Sequence, residues 1–539
     1  MFSRRVLFAL AALPLIAPLT PAQAPTEAAA RAVIQAPLGF KPYVFSADEF
    51  PACRFDKPEE VEKAVGAFQI TSAYYDRDGK RATTAAAPGP YFAVVTVTAK
   101  RFPPLTRYFT LYRLPKVPDL GAKLDTAKPE AIADLAGVKR ETVAANAKLI
   151  AEVVKTRPLS DLASDPKFAR LLAGLAVAPA AGAGPVTKQN DALACERQAW
   201  VTRRRTLTGL DKEFPAALTA PTPAAKPVAV VRSGTAAEAG VKADAAAKID
   251  AVLADWAAHD DQAFAVCVVR RGVIVLHKAY GTRDGKPMTV DTPSWMASVT
   301  KAMSATLMLT LVDRGLVRLD DPVDKFVPAL RGVKVDKPLL IRHLYTHTNG
   351  LDKWPGWDDT LSDVECRLAN YYPFVKVGTA WAYNGGGYTL GGKVIENVTG
   401  EAVPLAFKRH LLDPLECRGT EVVGTHADAF SVPLDMAKFG QLLLNRGSYG
   451  GHQFYKPETF EQALPRKLTT ELGPKAEKTF GFGLDGSPRK FGHGAASAAT
   501  FHVDVDRELV VVMTRNRQGM NQDKYNGKFW DAINAAIEK

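Results

Sequence analysis

The sequence has little of what metal centres are built from. Five cysteines and nine histidines are scattered over 539 residues. No C-x-x-C, H-E-x-x-H or close His/Asp cluster occurs, so neither a metal nor any other cofactor is expected. A G-x-S-x-G nucleophile elbow is missing as well. The nearest serine among small residues is Ser497, in GAASAAT, which ranks a Ser-His-Asp hydrolase low. Internal repeats are absent, and so is any apolar run beyond residue 17 long enough to span a bilayer. No aromatic residues are interleaved with basic ones around the run Arg203-Arg204-Arg205. The densest basic run, Arg203-Arg204-Arg205, therefore reads as a solvated face, and no nucleic acid is expected as a partner. The formal charge of +12 includes Arg4 and Arg5 at the extreme N-terminus.

What is present is a folded globular composition, 47% hydrophobic and 23% charged, over a length that calls for two or three domains. Arg4 and Arg5 precede an apolar stretch from Val6 to Ala17, followed by the small residues Thr20, Ala22 and Ala24. This pattern predicts a signal peptide over residues 1–22 and a periplasmic or secreted protein; a retained anchor is the alternative. Export permits disulfides. Cys267 lies among valines and reads as a small buried hydrophobe, which leaves Cys53 with Cys195 and Cys366 with Cys417.

Residues 40–115 are strand-rich and would suit a small β-sandwich, a β-rich accessory module. Residues 125–215 turn helical, and 216–240 read as a semi-rigid Pro/Ala-rich linker. A second start follows at 241, with an amphipathic helix, a strand pair around Arg271-Gly272, a long mixed region, a second strand pair and a terminal helix. The N-terminal half is expected to be accessory, with a cell-envelope polymer as a candidate partner.

One segment combines an apolar helix with two chemically active residues. In WMASVTKAMSATLMLTLVDRG, Ala302, Ala305, Leu309 and Val312 fall near helical spacing and Gly315 supplies a stop. Ser298 and Lys301 stand three apart at the entrance, within reach of one another. A serine hydroxyl needs a base to become a nucleophile, and a lysine serves as that base when burial lowers its pKa. The free N–H groups of a helix start favour a developing oxyanion. Read in isolation, the pair is equally a helix cap beside a surface lysine.

Four stretches in order resolve that choice. TPSWMASVTKAMSATLMLTLVDRGLVRLDDPVDKFVP, IRHLYTHTNGL, GTAWAYNGGGYTLGGKVIENVTG and FGHGAASAATFHVDVDRELVVVMTRN resemble the signature regions of the serine β-lactamase and penicillin-recognising superfamily. The likeness is strongest to the class C β-lactamase, D-stereospecific peptidase and esterase branch, over about residues 241–539. It implies a mixed α/β domain, an antiparallel sheet flanked by helices with a helical subdomain over roughly 320–430. It also implies a Ser298 acyl-enzyme, Lys301 as base, and Tyr383 sharing proton transfer, its pKa lowered by two neighbouring cations. His493 would stand at the third-motif position, carrying a positive charge or donating a hydrogen bond to substrate. The backbone N–H groups of Ser298 and Ala496, on the strand after His493, would form the oxyanion hole. Asn384, Gly385, Gly494 and Ala495 would line the substrate site. His347 is read as structural. Two departures stand out: Gly385 replaces the asparagine of Y-x-N, and His493-Gly494-Ala495 replaces K-T-G. They point to an esterase or D-peptidase acting on a small ester, peptide or β-lactam donor, without efficient β-lactam turnover. A catalytically weak penicillin-binding sensor and a true class C-like β-lactamase remain as alternatives.

Overall fold

The computed structural model describes residues 25–100, 102–115, 122–125, 128–178, 191–214, 221–354 and 364–537. The expected signal peptide and residues 216–220 of the expected linker lie outside them.

The N-terminal half builds a five-stranded sheet and a separate two-strand pair, Leu38–Phe40 with Cys53–Phe55, and not a sandwich. Strands β1 (Phe68–Tyr75), β2 (Gly89–Ala99) and β3 (Phe102–Arg113) pair antiparallel in spatial order. Val44–Phe45 adds parallel to β3 and Arg81–Ala82 antiparallel to β1 at the edges. The sheet is covered by helices: α1 (Pro166–Val177) sets Phe168, Leu171, Leu172 and Leu175 into the core, and α2 (Asp191–Thr208) lies against α1. The apolar stripe of the helical region supplies the cover that a second sheet would otherwise provide. Trp200 of α2 meets Phe92 edge-to-face at 5.2 Å, and its Nε1–H donates to Thr110 Oγ1 at 2.8 Å.

The Pro/Ala-rich segment is laid down as a strap. Thr222–Pro223 pairs with His452–Gln453, Arg232 bridges to Val273, and a one-turn helix, Ala236–Ala239, is closed by a Thr235/Glu238 capping box.

The C-terminal half holds a six-stranded antiparallel sheet. Its strands are β4 (Phe264–Arg270), β5 (Val273–Tyr280), β6 (Asp485–Gly486), β7 (Lys490–Gly492), β8 (Thr500–Asp504) and β9 (Leu509–Thr514). The spatial order is β5-β4-β9-β8-β7-β6. Every residue of β4 and β9 is buried, because these central strands are covered on both faces. On one face α3 (Ala245–Ala258) and the C-terminal helix (Gln522–Ala536) pack Leu253, Trp256, Phe529 and Ile533 on the strands. On the other, Phe439 of the helix Pro433–Leu444 stacks on Phe501 at 5.3 Å. α4 (Thr300–Asp313) and α5 (Gly386–Thr399) stand beside this sheet and are buried on nearly all sides. The expected mixed α/β architecture, with first and last helices on an antiparallel sheet, is the one observed.

Two expectations are corrected. All five cysteines are free thiols. Cys53 lies on the strand Cys53–Phe55, Cys195 packs on Val177 and Ala178, Cys366 faces Tyr108 Oη at 3.5 Å, and Cys417 donates to the Asp435 carbonyl at 3.5 Å. The pairs Cys53–Cys195 and Cys366–Cys417 are not formed, because each thiol has its own surroundings.

The basic run is not a solvated face either. Arg203 and Arg204 are 8% and 3% exposed. Arg204 reaches Glu365 at 3.2 Å and Glu396 at 3.3 Å, Arg197 reaches Glu396 at 2.6 Å, and Lys393 bonds Glu396 at 2.8 Å. Burial alone would raise the Glu396 pKa; Arg197, Lys393 and Arg204 outweigh it and hold the carboxyl well below the usual range. These charges cross between α2 and the C-terminal half, so the two halves share one buried electrostatic joint.

Breaking such a pair by removing one partner strands its neighbours in the interior. Glu396→Gln should lower unfolding stability by about 3–5 kcal/mol in denaturant titration. A protein truncated before Val241 exposes Glu365, Lys393 and Glu396 together and should lose solubility or cooperative melting. A stable, cooperatively melting fragment would show that the joint does not hold the C-terminal half together.

Candidate active site

Ser298 sits in a tight turn, Ala297–Val299, immediately before α4. Ala297 is left-handed at φ 44°, a conformation that costs roughly 1–3 kcal/mol outside glycine and aims the next side chain. From Thr300 to Leu311 every residue of α4 is buried, although three of the first five carry polar side chains. Those three face one loop. Thr300 Oγ1 accepts the Ala429 N–H at 3.0 Å, Lys301 Nζ donates to the His426 carbonyl at 2.8 Å, and Ser304 Oγ donates to the Thr425 carbonyl at 2.5 Å. The segment 425–429 is thereby clamped along the start of the helix. From the other side Gly483 (φ 61°) comes so close that a Cβ there would stand 2.6 Å from the Lys301 carbonyl carbon.

Enclosed in this way, Lys301 is 2% exposed. Its Nζ donates to Ser298 Oγ at 3.2 Å. Burial pushes its pKa down to about 8, opposed by the Asp428 carboxylate. The ring centroid of Tyr383 lies 4.8 Å from the lysine nitrogen. The expected depression of the Tyr383 pKa does not occur. Burial raises it, only partly offset by the Ser298 hydroxyl, so Tyr383 is a phenol and not a phenolate near neutral pH.

The second cation expected beside Tyr383 is absent for a reason that the geometry shows. His493 is buried, and burial pushes its pKa down to about 4. Its Nδ1 lies 2.5 Å from the Gly494 carbonyl, an acceptor, so the neutral ring carries its hydrogen on Nδ1. Nε2 is then a lone-pair acceptor, and the expected positive charge or donated hydrogen bond is replaced by a neutral group that accepts.

The remaining site residues divide in two. Ser298, Tyr383, His493, Gly494, Ala495 and Ala496 border one cavity of about 350 Å³, together with Trp381, Phe480 and Asp485. Ala496 does not lie on a strand: β7 ends at Gly492, and Ala496 belongs to a turn closed by the Ala498 N–H donating to the Ala495 carbonyl at 2.8 Å. Asn384 and Gly385 are not in the cavity wall. The Asn384 amide is spent on its own loop, donating to the Ala382 carbonyl at 2.7 Å and accepting the Gly387 N–H at 3.2 Å. A Cβ at Gly385 would meet His426 Cδ2 at 2.7 Å, so the histidine ring covers the place where an asparagine side chain would stand. His347 is structural, as expected. It is buried with a pKa pushed down to about 3, accepts the Asn384 N–H on Nδ1 at 3.2 Å, and takes the Ala382 N–H on its carbonyl at 2.9 Å. It thereby holds the Tyr383 loop.

Sequence reasoning missed His426, Trp381, Phe480 and Asp485. His426 acts through a backbone carbonyl, which no side-chain pattern announces. The aromatic residues read as core, and Asp485 is separated from Ser298 by 187 positions with no spacing rule to connect them. Among the described residues no group of three or more His, Cys, Asp or Glu is placed to hold a metal, and no helix is long and apolar enough to cross a membrane.

Known proteins are similar to parts of this chain. Esterase EstB of Burkholderia gladioli is 34% identical over 190 residues, 31% of this chain, and the match spans 48% of the esterase's own length. The putative penicillin-binding protein PbpX of Bacillus subtilis is 22% identical over 50% of this chain and 74% of its own. A teichoic acid D-alanine hydrolase of Staphylococcus aureus is 26% identical over 37% of this chain and 48% of its own. Among solved structures, a family VIII carboxylesterase superposes with TM-score 0.47 at 19% identity, over 55% of this chain and 98% of that one. The family model described as Beta-lactamase matches residues 249–534, the stretch that supplies Ser298, Lys301, Tyr383 and His493, and with that match the chain belongs to the serine β-lactamase and penicillin-binding superfamily.

Proposed function

We propose that this protein is an exported serine hydrolase of the esterase or D-peptidase type, working through a covalent acyl-enzyme on Ser298. The observation that carries the reading is the 3.2 Å contact between the Ser298 hydroxyl and the enclosed amine of Lys301, whose pKa of about 8 leaves a usable fraction unprotonated near neutrality. Esterases and a teichoic acid D-alanine hydrolase among the relatives support the same class. The Arg4-Arg5 pair and the apolar stretch behind it support export to the periplasm or beyond.

In this mechanism the neutral Lys301 amine takes the Ser298 proton as Oγ attacks the acyl carbon. The developing oxyanion is held by the N–H groups of Ser298 and Ala496. The phenol of Tyr383 gives its proton to the departing oxygen, and the resulting phenolate takes back the proton that Lys301 received from Ser298. Water then cleaves the acyl-enzyme with the proton moves reversed. All the parts are protein groups.

β-Lactam turnover makes demands that this site does not meet. Gly385 has no side chain, the Asn384 amide is committed, and His493 is neutral with its Nε2 buried. None of them offers a donor to an acylamide or a charge to a carboxylate. A small ester needs only the nucleophile, the base and two N–H groups.

Four outcomes test the reading. Ser298→Ala should abolish both fluorophosphonate labelling and hydrolysis of p-nitrophenyl butyrate; retained activity would assign the nucleophile elsewhere. In the wild type, kcat/KM should rise about tenfold per pH unit toward pH 8 and then level, since only the neutral lysine accepts a proton. Lys301→Arg should remove that limb and lower kcat by about two to four orders of magnitude, because arginine stays protonated. A loss below tenfold in a folded variant would take Lys301 out of the base role. Finally, cephalosporins should act as slow acylating inhibitors. Turnover at kcat/KM of about 10⁴ M⁻¹s⁻¹ or more would contradict the account of Gly385, Asn384 and His493.

A further inference from the structure

A second cavity, of about 540 Å³, lies where the N-terminal helices meet the C-terminal half, and it shares no lining residue with the cavity at Ser298. The helix Ala147–Val154, the turn after it, α1 and α2 supply most of its wall; Pro404 and Val423 close it from the C-terminal half. Its volume is that of a small-molecule site, roughly 300–1,000 Å³. Five basic residues line it, Lys155, Arg157, Lys167, Arg170 and Arg197, against two acidic ones, Glu152 and Asp165. We propose that this cavity binds an aliphatic phosphate monoester, non-covalently and apart from the acyl-transfer centre. The site stands whether or not Ser298 is the nucleophile.

The guanidiniums are held in place by protein groups. Arg170 donates to Glu196 Oε2 at 3.0 and 3.1 Å, and Arg197 donates to Glu396 at 2.6 Å and to the Val423 carbonyl at 3.0 Å. Burial holds the Arg197 pKa below its ordinary value, opposed by Glu396; Arg170 and Arg204 add to the fall, the mark of positive charge in excess. Arg157 donates to the Val153 and Val154 carbonyls and, from Nη2, to Asp165 at 2.7 Å. Its Nη1 has no partner among the described residues and is not buried. Asp165 is used up, because its other oxygen accepts the Lys167 N–H at 2.8 Å. The two lysines are a different case. Both are exposed, and among the described residues neither ammonium enters a hydrogen bond or an ion pair. Lys155 and Thr156 are consecutively left-handed, at φ 42° and 57°, a backbone that residues other than glycine hold only where their surroundings enforce it. That turn brings Lys155 and Arg157 to the same cavity.

Two unneutralised ammoniums beside an open guanidinium N–H match an anion with about two charges and several acceptor oxygens. A phosphate monoester carries about −1.5 to −2 near neutrality on three terminal oxygens. A single carboxylate neutralises one lysine and leaves the other, and a cation meets charge of its own sign. The rest of the wall is aliphatic, with Leu149, Val153, Leu193 and Pro404 and no aromatic ring. A nucleotide base has nothing to stack on there, so the organic part of the ester is aliphatic. A soluble alkyl phosphate and the headgroup of a phosphatidic acid share this chemistry.

Titration calorimetry of the full chain with n-butyl phosphate, inorganic phosphate and butyrate, and co-sedimentation with phosphatidylcholine vesicles with and without phosphatidic acid, test the assignment. n-Butyl phosphate should bind at one site per chain, about tenfold or more tighter than butyrate, the yield of one further charge-assisted contact. It should also bind more tightly than inorganic phosphate, since only the ester covers the aliphatic wall. Lys155→Ala combined with Lys167→Ala, both at exposed positions, should weaken it about tenfold or more without changing the melting temperature. Replacing both lysines by arginine should restore most of the affinity, and Ser298→Ala should bind as the wild type does. Vesicle binding that needs phosphatidic acid and the two lysines identifies a lipid as the source; binding of the soluble ester alone identifies a small molecule, and either result supports the site. No binding of n-butyl phosphate or of phosphatidic acid overturns it. So does butyrate or inorganic phosphate binding as tightly as the ester, or an affinity that the double lysine variant leaves unmoved. Loss of binding in Ser298→Ala would place the ester in the acyl-transfer cavity and overturn it as well.

Discussion

The enclosure of one lysine amine governs the rest of the site. Lys301 Nζ has a serine hydroxyl and a backbone carbonyl for partners and almost no water. Its ordinary pKa would leave it protonated and useless as a base at neutral pH; desolvation brings it to about 8. Enclosure of that kind has structural requirements. The helix must be buried on every side, the 425–429 segment must lie along it, and a glycine must stand at 483 so that the chain can pass against the helix backbone. The left-handed Ala297 completes the arrangement by turning Ser298 out toward the cavity while Lys301 stays inside.

The same desolvation sets the character of the other titratable groups. Tyr383 keeps its proton, and His493 and His347 are neutral. At neutral pH the lysine amine is thus near its own pKa. Desolvation also explains why the third-motif histidine is no substitute for a lysine: burial removes its charge, and the Gly494 carbonyl fixes its tautomer.

The N-terminal half is tied to this arrangement by charge. Arg197 and Arg204 from α2 meet Glu396 and Glu365, and Lys393 completes the group with almost no exposure. Glu396 and Lys393 lie on α5, whose first turn follows directly on the loop carrying Tyr383. The joint and the Tyr383 loop thus share one helix. The half that reads as accessory by composition is, by packing, part of the same body.

The sequence by itself determined the local chemistry and the main elements. Ser298 and Lys301 at a three-residue spacing, Tyr383 in a glycine-rich turn, the strand pairs near 263–279 and 500–514 and the helices at either end are legible because they follow from short-range periodicity and motif order. Tertiary structure alone decided what those residues are in physical terms. Protonation depends on burial, and burial is set by residues far away in the chain; hence the phenol at Tyr383 and the neutral His493 were not legible. Arg203 and Arg204 look like surface charges until Glu365 and Glu396 are brought to Arg204 from more than 150 positions away. Cysteine pairing depends on three-dimensional proximity, which counting does not supply. The fate of Asn384 and the role of His426 turn on which atoms face each other across a fold, and a one-dimensional pattern carries no such directions.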